Sequence, residues 1–167
     1  MTPSPNQLSD HDRLALQQLA IDYANAIDRR DWDGLDLVFT VDAHIDYSAM
    51  GGIAGDYRRI KAWLPRSLRF FKSYQHFVGN FQYRLEGDDG GRARGEVACF
   101  NPMVVPGLLF GLPRTVVFGF WYEDEYRRTA EGWRIVRRVE RKCYALNVPW
   151  WMKLGAWLYR LRSQRSG

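Results

Sequence analysis

Near its start the chain carries an apolar stripe with helical spacing. Its members recur at steps of three and four residues: Leu16, Leu19, Ala20, Tyr23 and Ile27. This spacing predicts an amphipathic helix of about five turns with one face toward a core. Ser9, followed three residues later by Asp12, approximates a capping box and predicts a helix start near residue 10. Asp28 flanks the stripe in the last turn, where the helix dipole disfavours a negative charge, so we expect it to have a specific partner or role.

Two shorter helices and a strand are predicted after the first helix. Asp31 is suited to cap a short second helix. Apolar and polar residues alternate from Val41 to Ser48, which predicts a strand with Tyr47 facing the core. Asp56 is suited to cap a third helix, which Pro65 would kink or restart.

The chain from residue 75 to about residue 145 has strand character. The four predicted strands are 75–86, 92–105, 114–126 and 133–145, and the first and last pairs are joined by hairpin-type turns. Helices followed by antiparallel strands indicate an α+β fold. We predict a curved antiparallel or mixed sheet wrapped around three N-terminal helices, forming a cone with an interior pocket. The segment 106–113 is too apolar for an ordinary loop, and we expect it to cover the pocket mouth.

The domain organisation predicted from these elements is simple. A chain of 167 residues fits one domain. We expect a flexible tail over 1–8, the cone over 9–145 and an amphipathic C-terminal helix over 146–167. The apolar face of that last helix would carry Trp150, Leu154, Trp157, Leu158 and Leu161. Such a helix can be a lid, a dimer contact or a membrane-surface helix, and the first two are the commoner uses of an apolar stripe.

Composition narrows the class of partner. The chain has 24 basic and 19 acidic residues, a net charge of +5, without a compact basic patch, so nucleic acid is not expected as a partner. Aromatic residues make up 15% of the chain, which suits a pocket for an apolar ligand. Cys99 and Cys143 are far apart in apolar, strand-like contexts, which predicts free thiols in a reducing compartment. The N-terminus resembles no secretory signal, so we expect a cytoplasmic protein.

One histidine stands out as a candidate for chemistry. His11 lies in the first helical turn and His44 alternates with the apolar face of its strand, so both should be solvated. His76 opens a predicted strand, and we expect it to meet Asp28 inside the cone. If residues alternate regularly in this strand, His76 points to the opposite face of the sheet from the neighbouring aromatic residues. A bulge at Gly79 would change which face it points to. An ordinary structural histidine is the competing interpretation.

A histidine oriented by a buried carboxylate can act as a general base near neutral pH. Tyr23 and Tyr47 are candidate hydroxyl donors toward a carbonyl or leaving oxygen, although tyrosines on an apolar stripe are commonly core residues. Such a set needs no metal, and neither a metal-ligand spacing nor a glycine-rich phosphate loop is present. We assign Trp63, Asn101, Phe118 and Arg137 to substrate binding. Arg137 shares the strand parity of apolar residues, although snorkelling to the surface is the common reason for such a cation.

The segment YANAIDRRDWDGLDLVFTVDAHIDYSAM, followed by QHFVGN, resembles the SnoaL-like branch of the nuclear-transport-factor-two fold, closest to the scytalone dehydratases. The resemblance implies that Asp28 and His76 form the base, that Tyr47 holds the substrate oxygen and that Tyr23 is the helix tyrosine of related enzymes. Asn101 or Met103 lies near the position of a second histidine in scytalone dehydratase, and Ile27 replaces a second tyrosine, so scytalone itself is not the expected substrate. Tyr47 stands where ketosteroid isomerase has its catalytic aspartate, which argues against isomerisation by that mechanism.

These observations predict a cofactor-independent lyase of the dehydratase type, acting on an apolar cyclic substrate such as a polyketide or steroid. An isomerase or cyclase using the same site, and a non-catalytic ligand-binding or dimerisation module, are the alternatives. We expect no cofactor and no metal. A homodimer or homotrimer is expected, and the C-terminal helix could add a peripheral membrane contact.

Overall fold

The sheet of the protein is curled around two α-helices in the computed structural model, which describes residues 8–87, 89–107, 112–150 and 152. The helices are α1 (Asp10–Arg29) and α2 (Tyr57–Leu68). The strands are β1 (Phe39–Asp46), β2 (Ala54–Asp56), β3 (Ser73–Tyr74), β4 (Phe77–Glu86), β5 (Arg92–Val105), β6 (Arg114–Thr129) and β7 (Gly132–Leu146). This is the predicted α+β class.

One mixed sheet contains all seven strands. Its order is β2-β1-β7-β6-β5-β3, and β4 also pairs with β5. The β1–β7 pairing is parallel, whereas every other pairing is antiparallel. The long strands β5, β6 and β7 bend around the helices because irregularities in register interrupt the ladders of β4 with β5 and of β6 with β7.

Both helix starts follow from local side-chain chemistry. Ser9 caps α1 by accepting a hydrogen bond from the Asp12 amide at 3.1 Å, as the capping-box pattern predicts. Asp56 caps α2 by accepting one from the Arg59 amide at 2.8 Å. Pro65 lies inside α2, which runs on to Leu68, so the helix does not restart at this proline. Pro65 lies in the last turn, where its missing amide costs a single helical hydrogen bond.

Two predicted features differ in the structure or lie beyond its described part. The expected second helix is instead a 3₁₀ turn over Gly34–Leu37, whose entry Asp31 stabilises by accepting from the Gly34 amide at 3.0 Å. The prediction of three helices inside the cone is therefore corrected to two α-helices and this turn. The tail at 1–7 and most of the predicted C-terminal helix, 151 and 153–167, lie outside the described residues, as do residues 108–111 of the apolar segment.

The core fills the space between α1, α2 and the inner face of the sheet. The apolar stripe of α1 is buried there, together with Val38, Ile45, Ile60 and Ile135. The interior also holds polar side chains, including Asn101, Asp124, Arg138 and Glu140. Within the described part of the chain, no helix is long and apolar enough to cross a membrane.

Candidate active site

Asp28 and His76 form a two-point contact at the end of α1. The Asp28 Oδ1 atom lies 2.6 Å from His76 Nδ1, and Asp28 Oδ2 accepts the His76 backbone amide at 2.8 Å. The His76 side chain is 8% exposed and the Asp28 side chain 21%. These two contacts stabilise the Asp28 carboxylate, which the helix dipole disfavours in the last turn of α1. When Nδ1–H donates to this carboxylate, Nε2 keeps its lone pair and can accept a proton.

The chain around His76 explains why simple alternation misplaced it. His76 lies in the link between β3 and β4 and not in a strand. The β4–β5 register shifts between Gly79 and Gln82, and Asn80 has a φ of 49°, so the predicted irregularity at Gly79 is present. His76 lies before the start of β4 and before this register shift. The alternation of β4 therefore does not fix its facing, and its side chain can turn toward α1.

Tyr23 and Tyr47 form a buried hydroxyl pair beside the histidine. Their hydroxyl oxygens are 2.7 Å apart, and the Tyr23 ring meets the His76 ring edge-on at a centroid distance of 6.4 Å. Burial raises the pKa of Tyr23 to about 12 and that of Tyr47 well above its usual range. Both therefore stay neutral at physiological pH. Since one hydroxyl donates to the other, the acceptor's own proton is left for a further oxygen.

Beneath this pair lies a buried ion pair that sequence reasoning missed. The Arg138 guanidinium donates Nε to one Asp124 oxygen at 2.8 Å and Nη2 to the other at 2.6 Å, and both side chains are 0% exposed. The guanidinium carbon lies 4.2 Å from the centre of the Tyr23 ring and 4.0 Å from that of Tyr122. Arg138 thus packs against the tyrosines through its flat faces.

The prediction that Arg137 lies on the apolar face of its strand is wrong. Its side chain is 50% exposed on the outer face of the sheet, 3.5 Å from Glu125. A register shift between Glu125 and Tyr126 places an extra residue of β7 in the interval after Ile135. The extra residue reverses the alternation, so that Arg138 faces the interior instead.

Glu140 follows Arg138 on the same side of β7 and was also missed. It is 9% exposed, and its ladder partner on β6 is Tyr122. Burial raises the pKa of Glu140 well above its usual range; the Arg138 charge opposes this shift and the Asp46 charge adds to it. No pattern around residue 140 marks it as buried, because it shares the reversed alternation of Arg138.

The other predicted substrate-binding residues have different surroundings. Asn101 is 3% exposed and donates its Nδ2 to the carbonyl of Gln75 at 2.9 Å, so it fixes the link that carries His76. Trp63 and Phe118 are partly buried against the core. The structure places neither of these two aromatic residues in a described contact with the Asp28–His76 pair.

Loss of the Asn101 contact should loosen the histidine link. Asn101→Ala is expected to lower the free energy of unfolding by about 1 kcal/mol, because the Gln75 carbonyl loses its protein donor. Urea unfolding measures the change. Asn25→Ala, at an exposed position in α1, is the matched control and should stay within about 0.5 kcal/mol of the parent protein. Equal effects of the two substitutions would contradict the positioning role of Asn101.

A groove of about 300 Å³ lies elsewhere, on the outer face of the sheet. It is lined mainly by charged residues, including Arg84, Arg94, Glu96, Glu123, Glu125 and Arg137. Several of them already form ion pairs, such as Arg94 with Glu86 at 2.6 Å. The groove therefore does not include the Asp28–His76 pair. Among the described residues, no group of three His, Cys, Asp or Glu side chains is arranged to hold a metal ion.

Comparison with known proteins places this arrangement in a family. The uncharacterized protein Rv2910c of Mycobacterium tuberculosis is 51% identical over 133 residues, which are 80% of this chain and 86% of that protein. A candidate aromatic ring hydroxylase of Novosphingobium aromaticivorans is similar in structure, with a TM-score of 0.71 and 30% identity over 83% of this chain and 93% of the other. A candidate scytalone dehydratase of the same organism has a TM-score of 0.69 and 16% identity, covering 81% of this chain and 87% of the other.

The family model for the SnoaL-like domain matches residues 10–139. These residues include α1, α2 and the sheet up to the middle of β7, and thus both members of the Asp28–His76 pair. With a model match over most of its length, the chain belongs to the SnoaL-like domain family.

Proposed function

We propose that the protein is a cofactor-independent lyase of the dehydratase type that acts on an apolar cyclic hydroxy ketone, of polyketide or steroid character. The observation that carries the proposal is the two-point hold of Asp28 on His76, at 2.6 Å and 2.8 Å. A carboxylate that fixes both the ring and the backbone of a histidine orients it more strictly than a single contact would. Such orientation is what a general base requires.

In the proposed reaction, His76 Nε2 removes a proton from the carbon next to the substrate carbonyl. Asp28 keeps the proton on Nδ1 before the reaction and stabilises the imidazolium formed by it. The electron pair of the broken C–H bond moves toward the carbonyl, whose oxygen gains negative charge. The Tyr23–Tyr47 pair supplies a neutral hydroxyl donor to that oxygen, because both tyrosines keep their protons at neutral pH.

The bond between the β-carbon and the hydroxyl oxygen then breaks as the carbon–carbon double bond forms. The oxygen leaves with the bonding electron pair and takes up a proton, in net terms the one removed by His76, so that water departs. The aromatic side chains of Phe39 and Tyr122, both in contact with Tyr23, suit contact with an apolar ring system. The resemblance in fold to a candidate scytalone dehydratase agrees with a reaction of this type. Similarity at that level of identity supports the fold, so the reaction rests on the site.

Product analysis tests this proposal directly. A panel of β-hydroxy ketones built on apolar rings is incubated with the protein, and products are identified by mass spectrometry and ultraviolet absorbance. Loss of one water with formation of a conjugated enone is expected. A product of unchanged mass would indicate an isomerase or cyclase, and gain of oxygen would indicate the hydroxylation named for the relative at 30% identity. Binding without any turnover would instead identify a ligand-binding module.

A further inference from the structure

Glu140 is a buried carboxyl group that the mechanism above leaves without a role. It is 9% exposed and lies next to Tyr122 across the β6–β7 ladder. The Tyr122 ring meets the Tyr23 ring edge-on at a centroid distance of 5.5 Å, and Arg138, on the same side of β7 as Glu140, lies against both rings, which places Glu140 in the same interior as the tyrosine pair. Tyr23 thus contacts the His76 ring and also Tyr122, the ladder partner of Glu140.

The surroundings of Glu140 favour an uncharged carboxylic acid. Arg138, a buried cation on the same side of β7, is already bound through two hydrogen bonds to Asp124 and is not the dedicated partner of Glu140. Asp46, at the end of β1, adds a second negative charge nearby. Burial disfavours the charged form of a carboxyl group, and it accordingly raises the pKa of Glu140.

We propose that Glu140 is the proton donor of the reaction, delivering its carboxyl proton to the departing hydroxyl of the substrate. This inference rests on the proposed dehydratase function and extends it. His76 and Glu140 then form a complementary pair in one interior, with one group poised to accept a proton and the other poised to release one. Separating the two roles between different environments is how a single site performs acid and base chemistry at one pH.

The proposed step balances as follows. His76 Nε2 takes the proton from the α-carbon, and the C–H electron pair becomes the new carbon–carbon double bond. The bond between the β-carbon and the hydroxyl oxygen breaks, and its electron pair leaves with the oxygen. The Glu140 proton joins that oxygen, so water departs and Glu140 becomes a carboxylate. Return of the histidine proton to Glu140 through water restores the starting state.

A pair of substrates isolates the acid from the base. A cyclic β-hydroxy ketone needs a proton on its leaving oxygen, whereas the β-acetoxy ketone of the same ring system expels acetate without one. Glu140→Gln keeps the side chain's shape but has no carboxyl proton to release. It should lower kcat for water elimination by about 10²–10⁴-fold and alter kcat for acetate elimination only a few-fold. His76→Ala should lower the rates of both reactions by about 10²–10⁴-fold.

The possible results distinguish failure of the proposed role of Glu140 from failure of the proposed dehydratase function. Absence of turnover of either substrate by the parent protein would overturn both. Turnover with equal losses on the two substrates in Glu140→Gln would overturn the role of Glu140 alone. Glu96→Gln, on the outer sheet face, is the control and should leave both rates unchanged. In the parent protein at neutral pH, infrared spectra should contain the carbonyl stretch of a neutral carboxyl group that is missing in Glu140→Gln; its absence from the parent protein would also contradict the proposal.

Discussion

His76→Ala should lower kcat/KM for elimination by about 10²–10⁴-fold, because the substitution removes the group that accepts the substrate proton. Folding should be largely retained, since Asp28 keeps 21% of its side-chain surface in contact with solvent and can be hydrated when its partner is lost. Steady-state kinetics on the substrate identified by product analysis measures the effect. Thermal unfolding of the same preparation separates loss of activity from loss of fold.

The matched control for this substitution is His44→Ala. His44 is exposed on β1, has no predicted role, and should leave kcat/KM unchanged. Equal turnover by His76→Ala and the parent protein would refute the assignment of His76 as the base.

Asp28→Asn addresses the orienting role of the carboxylate. The replacement is nearly isosteric, but its amide can donate to Nδ1 and thereby favour the tautomer with the proton on Nε2, which cannot accept a substrate proton. We expect kcat to fall about 10²-fold or more while the fold persists. Asp22→Asn, an exposed position on α1, is the control. Full activity of Asp28→Asn would show that the orientation of His76 does not depend on this carboxylate.

Asp28 and His76 could be predicted as site residues from the sequence because of where each of them lies. Asp28 stood in the last turn of an amphipathic helix, where the dipole disfavours it, and two of the three histidines fell at solvated positions. Their contact across 48 residues was predicted by matching an acid in need of a partner with the remaining histidine, and the resemblance agreed with it, because periodicity describes one element at a time and cannot pair two of them. The structure supplies what the pattern lacks, namely the link between β3 and β4 that turns His76 toward α1.

The burial of Arg138 and Glu140 could not be predicted from the sequence, because it depends on an irregularity within β7. Trp133 and Ile135 set the phase of alternation at the start of β7, which assigns Arg137 to the core side. The register shift against β6 reverses that phase, and Arg138 and Glu140 face the interior in its place. A bulge depends on the pairing with the neighbouring strand, so a single strand's sequence does not reveal it. The prediction of a short second helix was also wrong. Only four residues, Gly34–Leu37, form a 3₁₀ turn there before the chain enters β1.

Arg138→Met should destabilise the protein by about 3–5 kcal/mol, because it leaves the Asp124 carboxylate buried at 0% exposure without its cation. Tyr126 still donates to Asp124 at 3.0 Å, but a single neutral hydroxyl does not replace a bidentate guanidinium. The substitution also removes the cation that packs against Tyr23 and Tyr122, so the hydroxyl pair beside His76 should lose rigidity. Urea unfolding at neutral pH measures the change in free energy.

The control for Arg138→Met is the same substitution at the neighbouring residue, Arg137. Arg137→Met removes an exposed arginine whose nearest acid is 3.5 Å distant, and it should cost less than about 1 kcal/mol. The double variant Arg138→Met/Asp124→Leu should be more stable than the sum of the single variants predicts, because it removes the unpaired charge as well as the cation. Equal costs for Arg137→Met and Arg138→Met would mean that the sheet does not reverse its alternation at the bulge. Glu140 would then lose its place in the interior together with Arg138.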